Sequence, residues 1–174
     1  MKNEPFSVLM VTHALEKPAR LNSCLKSCYE QTFRADEIVL ILDGSIGSEL
    51  KIIIDSWKKK LAIKVFEKEK LGLAKCLRFG LTMVEHDLVL RVDSDDRSLE
   101  NRFEIQINTL LTENVSITSA PIEEIWEDGI PRVRSVPKGL INKNNIFSFF
   151  RSSSKNFINF FFCHFFFCTK NKFY

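Results

Sequence analysis

Along the first half of the chain, short unbroken apolar runs alternate with stretches whose apolar residues recur every three or four positions. Phe6-Ser7-Val8-Leu9-Met10-Val11 reads as a buried first strand. Pro18 stands where a helix would begin, and Leu21, Leu25, Cys28 and Tyr29 form an amphipathic stripe running to about Gln31. Glu37-Ile38-Val39-Leu40-Ile41-Leu42 is a second buried strand, stopped by Asp43-Gly44-Ser45. Leu50, Ile53, Ile54 and Trp57 mark a second helix, closed by Lys58-Lys59-Lys60 where cations favour the dipole. Ile63-Lys64-Val65-Phe66 is a short third strand. Leu73, Cys76, Leu77, Gly80, Leu81 and Val84 share one face of a third helix, and Leu88-Val89-Leu90-Arg91-Val92 is the fourth strand. Three successive strand–helix–strand units predict an α/β fold, with right-handed crossovers and a parallel sheet covered by helices on both faces.

Beyond the fourth strand the pattern predicts a fourth helix over residues 99–111, with Leu99, Phe103, Ile107, Leu110 and Leu111 inward. A fifth strand is expected over 115–122 and a hairpin over 125–133, because Asp128-Gly129 between such residues is a strong turn signal. Glu123, Glu124 and Glu127 on one arm face Arg132 and Arg134 on the other; exposed ion pairs of that kind contribute little. From Lys138 onward the character changes. Eleven of the 16 phenylalanines fall between Phe147 and Phe173, and no helical or strand period explains the six that flank Cys163-His164. The residue types that dominate there have codons rich in A and T. The expectation is an out-of-frame or prematurely ended reading after about Asn159, with residues 160–174 an aberrant tail that is sticky if exposed. Cys163, His164 and Cys168 do not have a standard zinc spacing.

A length of 174 residues, 45% hydrophobic and 27% charged, fits one globular domain or a piece of a larger one. The net charge of +3 hides an asymmetry. Residues 1–137 hold 19 Lys/Arg against 22 Asp/Glu, giving −3, and the rest hold 6 Lys/Arg and no acid, giving +6. The overall basicity is therefore no argument for a nucleic-acid partner. Five cysteines without a CxxC pair are expected to be buried free thiols, as suits a reducing compartment. Met-Lys-Asn-Glu-Pro followed by a short strand does not resemble a signal peptide, and no run reaches the ~18 apolar residues that a membrane span needs.

The chemistry concentrates at Asp93-Ser94-Asp95-Asp96, where an apolar strand ends in three carboxylates. In open α/β sheets the carboxyl ends of strands face the ligand crevice. Carboxylates gathered there repel one another unless a cation joins them. Asp93 and Asp95 are thus candidate ligands for Mg²⁺ or Mn²⁺ shared with a phosphate. The plainer reading is a polar turn before a helix, since Asp and Ser favour caps and turns.

Taken in order, the first strand, Leu42-Asp43-Gly44-Ser45, Leu71-Gly72-Leu73-Ala74-Lys75, Asp93-Ser94-Asp95-Asp96 and Asn101-Arg102-Phe103-Glu104 resemble the family 2 glycosyltransferases, inverting enzymes of the GT-A fold. The resemblance covers about residues 6–136, the nucleotide-sugar-binding part, and weakly residues 137–159. It implies a GT-A, Rossmann-like, mostly parallel sheet, incomplete in its C-terminal half. It also implies transfer of a sugar from a nucleoside-diphosphate-sugar to a carbohydrate or lipid-linked acceptor in cell-surface polysaccharide synthesis. The expected location is the cytoplasm or the membrane periphery. By the same resemblance Asp43 bonds the base or ribose, Gly44 lets the backbone turn beside the nucleotide, and Lys75 meets anions at a helix head. Asp93 would lie against the ribose and the metal's water shell, Asp95 would ligate the metal, and Asp96 would cap the next helix or support the metal indirectly.

Two departures stand out. After the first strand the family carries Pro-x-Tyr-Asn or a close variant where the base packs; this chain has Val11-Thr12-His13-Ala14, in which His13 is the only ring that could stack on a base. The family's general base is a carboxylate in the second half of the domain, and no acidic residue follows Asp128. A donor-binding remnant without catalysis is therefore the second expectation. A phosphate-signalling receiver domain is excluded, since the first strand ends without an acid.

Overall fold

A computed structural model describes residues 4–113, 117–125, 130–134 and 165–167. Four strands, β1 (Phe6–His13), β2 (Glu37–Asp43), β3 (Ile63–Lys68) and β4 (Leu88–Asp93), form a parallel sheet in the order β3-β2-β1-β4. Their connections are α1 (Pro18–Tyr29), α2 (Ser48–Lys58) and α3 (Leu73–Met83), and α4 (Arg102–Thr112) follows β4. Strands β1, β2 and β4 are largely apolar on both faces, as a sheet covered on both sides requires, while β3, at one edge, carries Lys64, Glu67 and Lys68. The two-residue side-chain period sorts the strands into two cores. Val8, Met10, Ile38, Leu40, Leu90 and Val92 pack with α1, α2 and α4, while Leu9, Val39, Ile41 and Val89 pack with α3.

This division follows from handedness. The chain steps outward from β1 to β3 with α1 and α2 on one face, then returns past β1 to β4, which places α3 on the other face if every crossover is right-handed. Gly80 lets α3 approach closely: a Cβ there would lie 2.3 Å from Leu9 Cδ1. At the amino end of the sheet, the buried Glu37 accepts bonds from Ser7 Oγ (2.6 Å) and the Glu85 N–H (2.6 Å) and pairs with Lys64 Nζ (2.9 Å). Burial alone would push the Glu37 carboxyl up, but these partners outweigh it and hold it below the usual range.

Several expectations shift. The helix predicted from residue 99 begins at Arg102, leaving Leu99 76% exposed and Leu111 45% exposed; Gln106 joins Phe103, Ile107 and Leu110 on the buried face. Asn101, not Asp96, is the N-cap residue of α4 and makes no side-chain cap bond; Gln31 Oε1, two residues past the end of α1, accepts the Phe103 N–H instead (3.0 Å). The strand expected over 115–122 is two, β5 (Ile117–Ser119) and β6 (Ile122–Ile125), separated at Ala120-Pro121 because proline cannot continue a ladder. β6 pairs antiparallel with β7 (Pro131–Arg134), setting Glu124 opposite Arg132; the Asp128-Gly129 turn lies outside the described residues. In the Phe-rich segment, β8 (Phe165–Phe167) pairs antiparallel with β5 and runs close to β4. A strand of three residues is too short to reveal a period. The segment 137–159 and Cys163, His164 and Cys168 lie outside the described residues. Cys24, Cys28 and Cys76 are buried free thiols, as expected.

Candidate functional site

The strand order reverses between β1 and β4, and ligand crevices in open α/β sheets form at such a switch, beyond the carboxyl ends of the strands. Register brings the candidate residues there: Val11 pairs with Asp93 and His13 with Asp43.

On the β2 side, Asp43 Oδ1 accepts the Leu71 N–H (2.6 Å) and the Gly72 N–H (3.1 Å), and Cys76 Sγ stands 3.4 Å away. Burial raises this carboxyl, but the two backbone N–H groups and Cys76 prevail and hold it below its ordinary value. Asp43 thus fastens the loop that leads into α3. Gly44 and Gly72 have φ of 92° and 83°, where a side chain would be strained, so both glycines are dictated by the turns. Gly44, Ser45, Lys68 and Lys70, with Glu67 and Glu69, line a shallow open groove beside Asp43. Lys75 stands exposed in the first turn of α3, and His13 stands exposed at the end of β1, its Nδ1 accepting the Leu15 N–H (3.2 Å).

On the β4 side, Asp93-Ser94-Asp95-Asp96 is a tight turn, closed by a bond from the Asp96 N–H to the Asp93 carbonyl (3.1 Å). Cys24 Sγ donates to the same carbonyl (3.2 Å), and Ser94 Oγ donates to Glu16 Oε2 (2.8 Å), which pins the turn against the β1–α1 loop. Asp93 is mostly buried and paired through Oδ1 with Nη2 of the buried Arg91. Burial pushes its carboxyl up to about 7; Arg91 opposes the rise, and the carboxylates of Asp96 and Asp95 add to it. Asp95, with a side chain 49% exposed, lies 3.8 Å from Arg20 of α1.

Among the described residues no group of three or more His, Cys, Asp or Glu could by itself enclose a metal. A cation that keeps waters and takes one or two carboxylates plus substrate phosphates needs no such cage. Two aspartates on one turn, one crowded by like charge and one open to solvent, suit that kind of cation. Asp43 and Gly44, beside the groove, and Asp93 and Asp95 are thus gathered at one end of the sheet. Sequence reasoning missed Arg91, Arg102, Arg20 and Glu16. The signal for Arg91 was available: a lone arginine inside a buried strand, two residues before an aspartate.

Residues 7–174 match the family model described as glycosyl transferase family 2. The chain is 40% identical over 152 residues to an Escherichia coli UDP-Gal:alpha-D-GlcNAc-diphosphoundecaprenol beta-1,3-galactosyltransferase, covering 86% of this chain and 54% of that protein. It is 38% identical over 148 residues to the Erwinia amylovora amylovoran biosynthesis glycosyltransferase AmsE, covering 84% and 54%. The chain therefore spans about half the length of these curated relatives. Among solved structures, Staphylococcus aureus TarS 1-349 in complex with UDP-GlcNAc aligns with a TM-score of 0.58 and 26% identity, over 65% of this chain and 33% of that one.

Proposed function

As the chain belongs to glycosyl transferase family 2, we propose that the carboxyl end of its sheet binds a nucleoside-diphosphate-sugar together with Mn²⁺ or Mg²⁺, for inverting transfer to a carbohydrate or lipid-linked acceptor in bacterial polysaccharide synthesis. What supports this reading is the placement of Asp43 and of Asp93 and Asp95 at the carboxyl ends of β2 and β4, on either side of β1, with Asp93 crowded by two further carboxylates. The relatives' own donors and acceptors, UDP-Gal and a diphosphoundecaprenol-linked sugar in the E. coli protein, support the substrate class.

In this reading Asp93 and Asp95 would hold the cation, which would supply positive charge beside the leaving diphosphate. Asp43 shapes the nucleoside side of the cleft by fixing the loop at Leu71 and Gly72, and offers its remaining acceptor capacity to the base or ribose. Gly44 keeps the backbone close to the nucleotide, and Lys75 at the head of α3 meets its anionic part. Inversion also needs a base to take the acceptor's proton.

Calorimetric titration of UDP, GDP and other nucleoside diphosphates, with and without Mn²⁺, tests the proposal beside an assay of donor hydrolysis. Mn²⁺-dependent binding that disappears in Asp95→Asn is the expected result, and equal affinity in wild type and variant overturns the metal assignment. Binding without hydrolysis would show donor binding that is not coupled to transfer.

A further inference from the structure

Arg91 is the largest fully buried side chain among the described residues, 1% exposed, on a strand whose inner positions are otherwise apolar. A buried guanidinium is costly to desolvate, and well-packed apolar residues in place of a buried ion pair often match or exceed its stability. Stability alone is therefore a poor reason for an arginine here. Its geometry offers another. The guanidinium is planar and always charged, so even a one-point contact from a buried arginine keeps a fixed donor beside one carboxylate oxygen. Arg91 Nη2 donates to Asp93 Oδ1, and Asp93 Oδ2 has no hydrogen-bond partner among the described residues. The main chain of Arg91 is fixed in turn: its carbonyl accepts from Arg102 Nη2 (3.1 Å), and Arg102, itself half-buried, also donates to Ser98 Oγ (2.7 Å) and Gln106 Oε1 (3.2 Å). A second arginine thus ties the base of the aspartate turn to the start of α4.

We propose that Arg91 is a positioning residue for the donor site: it locks one oxygen of Asp93 so that the other is presented to the cation and diphosphate, while Arg102 keeps the strand beneath it in place. The inference rests on the donor-site reading above, and it adds that Asp93 enters the site with a single, pre-oriented oxygen. Pre-orientation removes the cost of ordering that side chain when the ligand arrives.

A double-mutant cycle on the full chain tests it, with affinity for MnCl₂ in the presence of UDP followed by the electron paramagnetic resonance of free Mn²⁺. Folding is checked by circular dichroism. Arg91→Met is expected to weaken Mn²⁺ binding about tenfold or more, the range in which residues that orient metal ligands act. Arg91→Lys, which keeps the buried charge but loses the planar guanidinium, is expected to weaken it less, and carries the test if the methionine variant does not fold. In an Asp93→Asn background neither substitution should have a further effect. Wild-type affinity in the folded Arg91 variants overturns the inference and leaves the donor site standing, as does an equal loss in both backgrounds. If the wild-type chain itself shows no UDP-dependent Mn²⁺ binding, the donor-site reading fails and takes this one with it.

Discussion

The two ends of one parallel sheet treat carboxylates in opposite ways. At the amino end Glu37, 2% exposed, is met by a hydroxyl, a backbone N–H and an ammonium, and its carboxyl is held below the usual range. At the carboxyl end Asp93 has one arginine and two neighbouring carboxylates, and its carboxyl is pushed up to about 7. Both are acids inside an α/β sheet. A buried charge met by several partners serves the fold, whereas one left short of positive charge is, in the donor-site reading, where a ligand would bring it.

The sharpest way to break that contrast is Glu37→Ala, which should cost about 1–3 kcal/mol by leaving the Glu85 N–H and Ser7 Oγ without their buried acceptor, while Lys64 keeps Glu85. Urea unfolding reads this loss, and UDP binding by the folded fraction should be unchanged. The pH dependence has a definite sign. A free glutamate titrates at about 4.3, and in the folded chain Glu37 titrates lower, so the unfolded state takes up its proton first. The stabilisation from Glu37 is thus complete above about pH 5 and is lost as pH falls through the lowered folded value, so wild type and variant should converge in acid. At the other end, Asp95→Asn should leave the melting temperature within a degree or two while lowering Mn²⁺-dependent nucleotide affinity by about two orders of magnitude, worth about 2.7 kcal/mol. A drop in melting temperature without loss of affinity would erase the distinction between the two ends.

Two glycines sharpen it further. Gly80→Ala drives a methyl against Leu9 in the core and should cost about 1–2 kcal/mol, with binding intact once folded. Gly72→Ala meets open space but a strained φ of 83°, so it should cost about 1 kcal/mol. Because Asp43 grips that residue, the same change should also weaken nucleotide binding a few-fold, read by calorimetry.

Much of this was legible in the residues. Unbroken apolar runs and three-four spacing placed the four strands and α1 to α3 to within a few positions, because in a covered parallel sheet burial dictates sequence strongly. The metal-site candidates Asp93 and Asp95 follow from strand-end placement alone. Other features depend on partners distant in sequence. Leu99 has the spacing of a helix face but precedes α4, because the cap for that helix comes from Gln31, far back in the chain. Asp43 reads as a ligand contact, yet its hydrogen bonds to Leu71 and Gly72 appear only once β2 stands beside the α3 entrance. Arg91 looks like a polar interruption in a strand until Asp93 is seen to receive it.

The register that sets Val11 beside Asp93 joins positions about eighty residues apart, with β2, β3 and three helices threaded between them. Contacts of that separation form only after a long loop has been closed, at an entropic cost that local structure cannot repay. A nascent chain that has not yet released β4 would lack the side of the crevice that carries Asp93 and Asp95. Nucleotide binding would then report completed assembly, and by mass action a ligand held across this junction would draw late-folding molecules toward the native state.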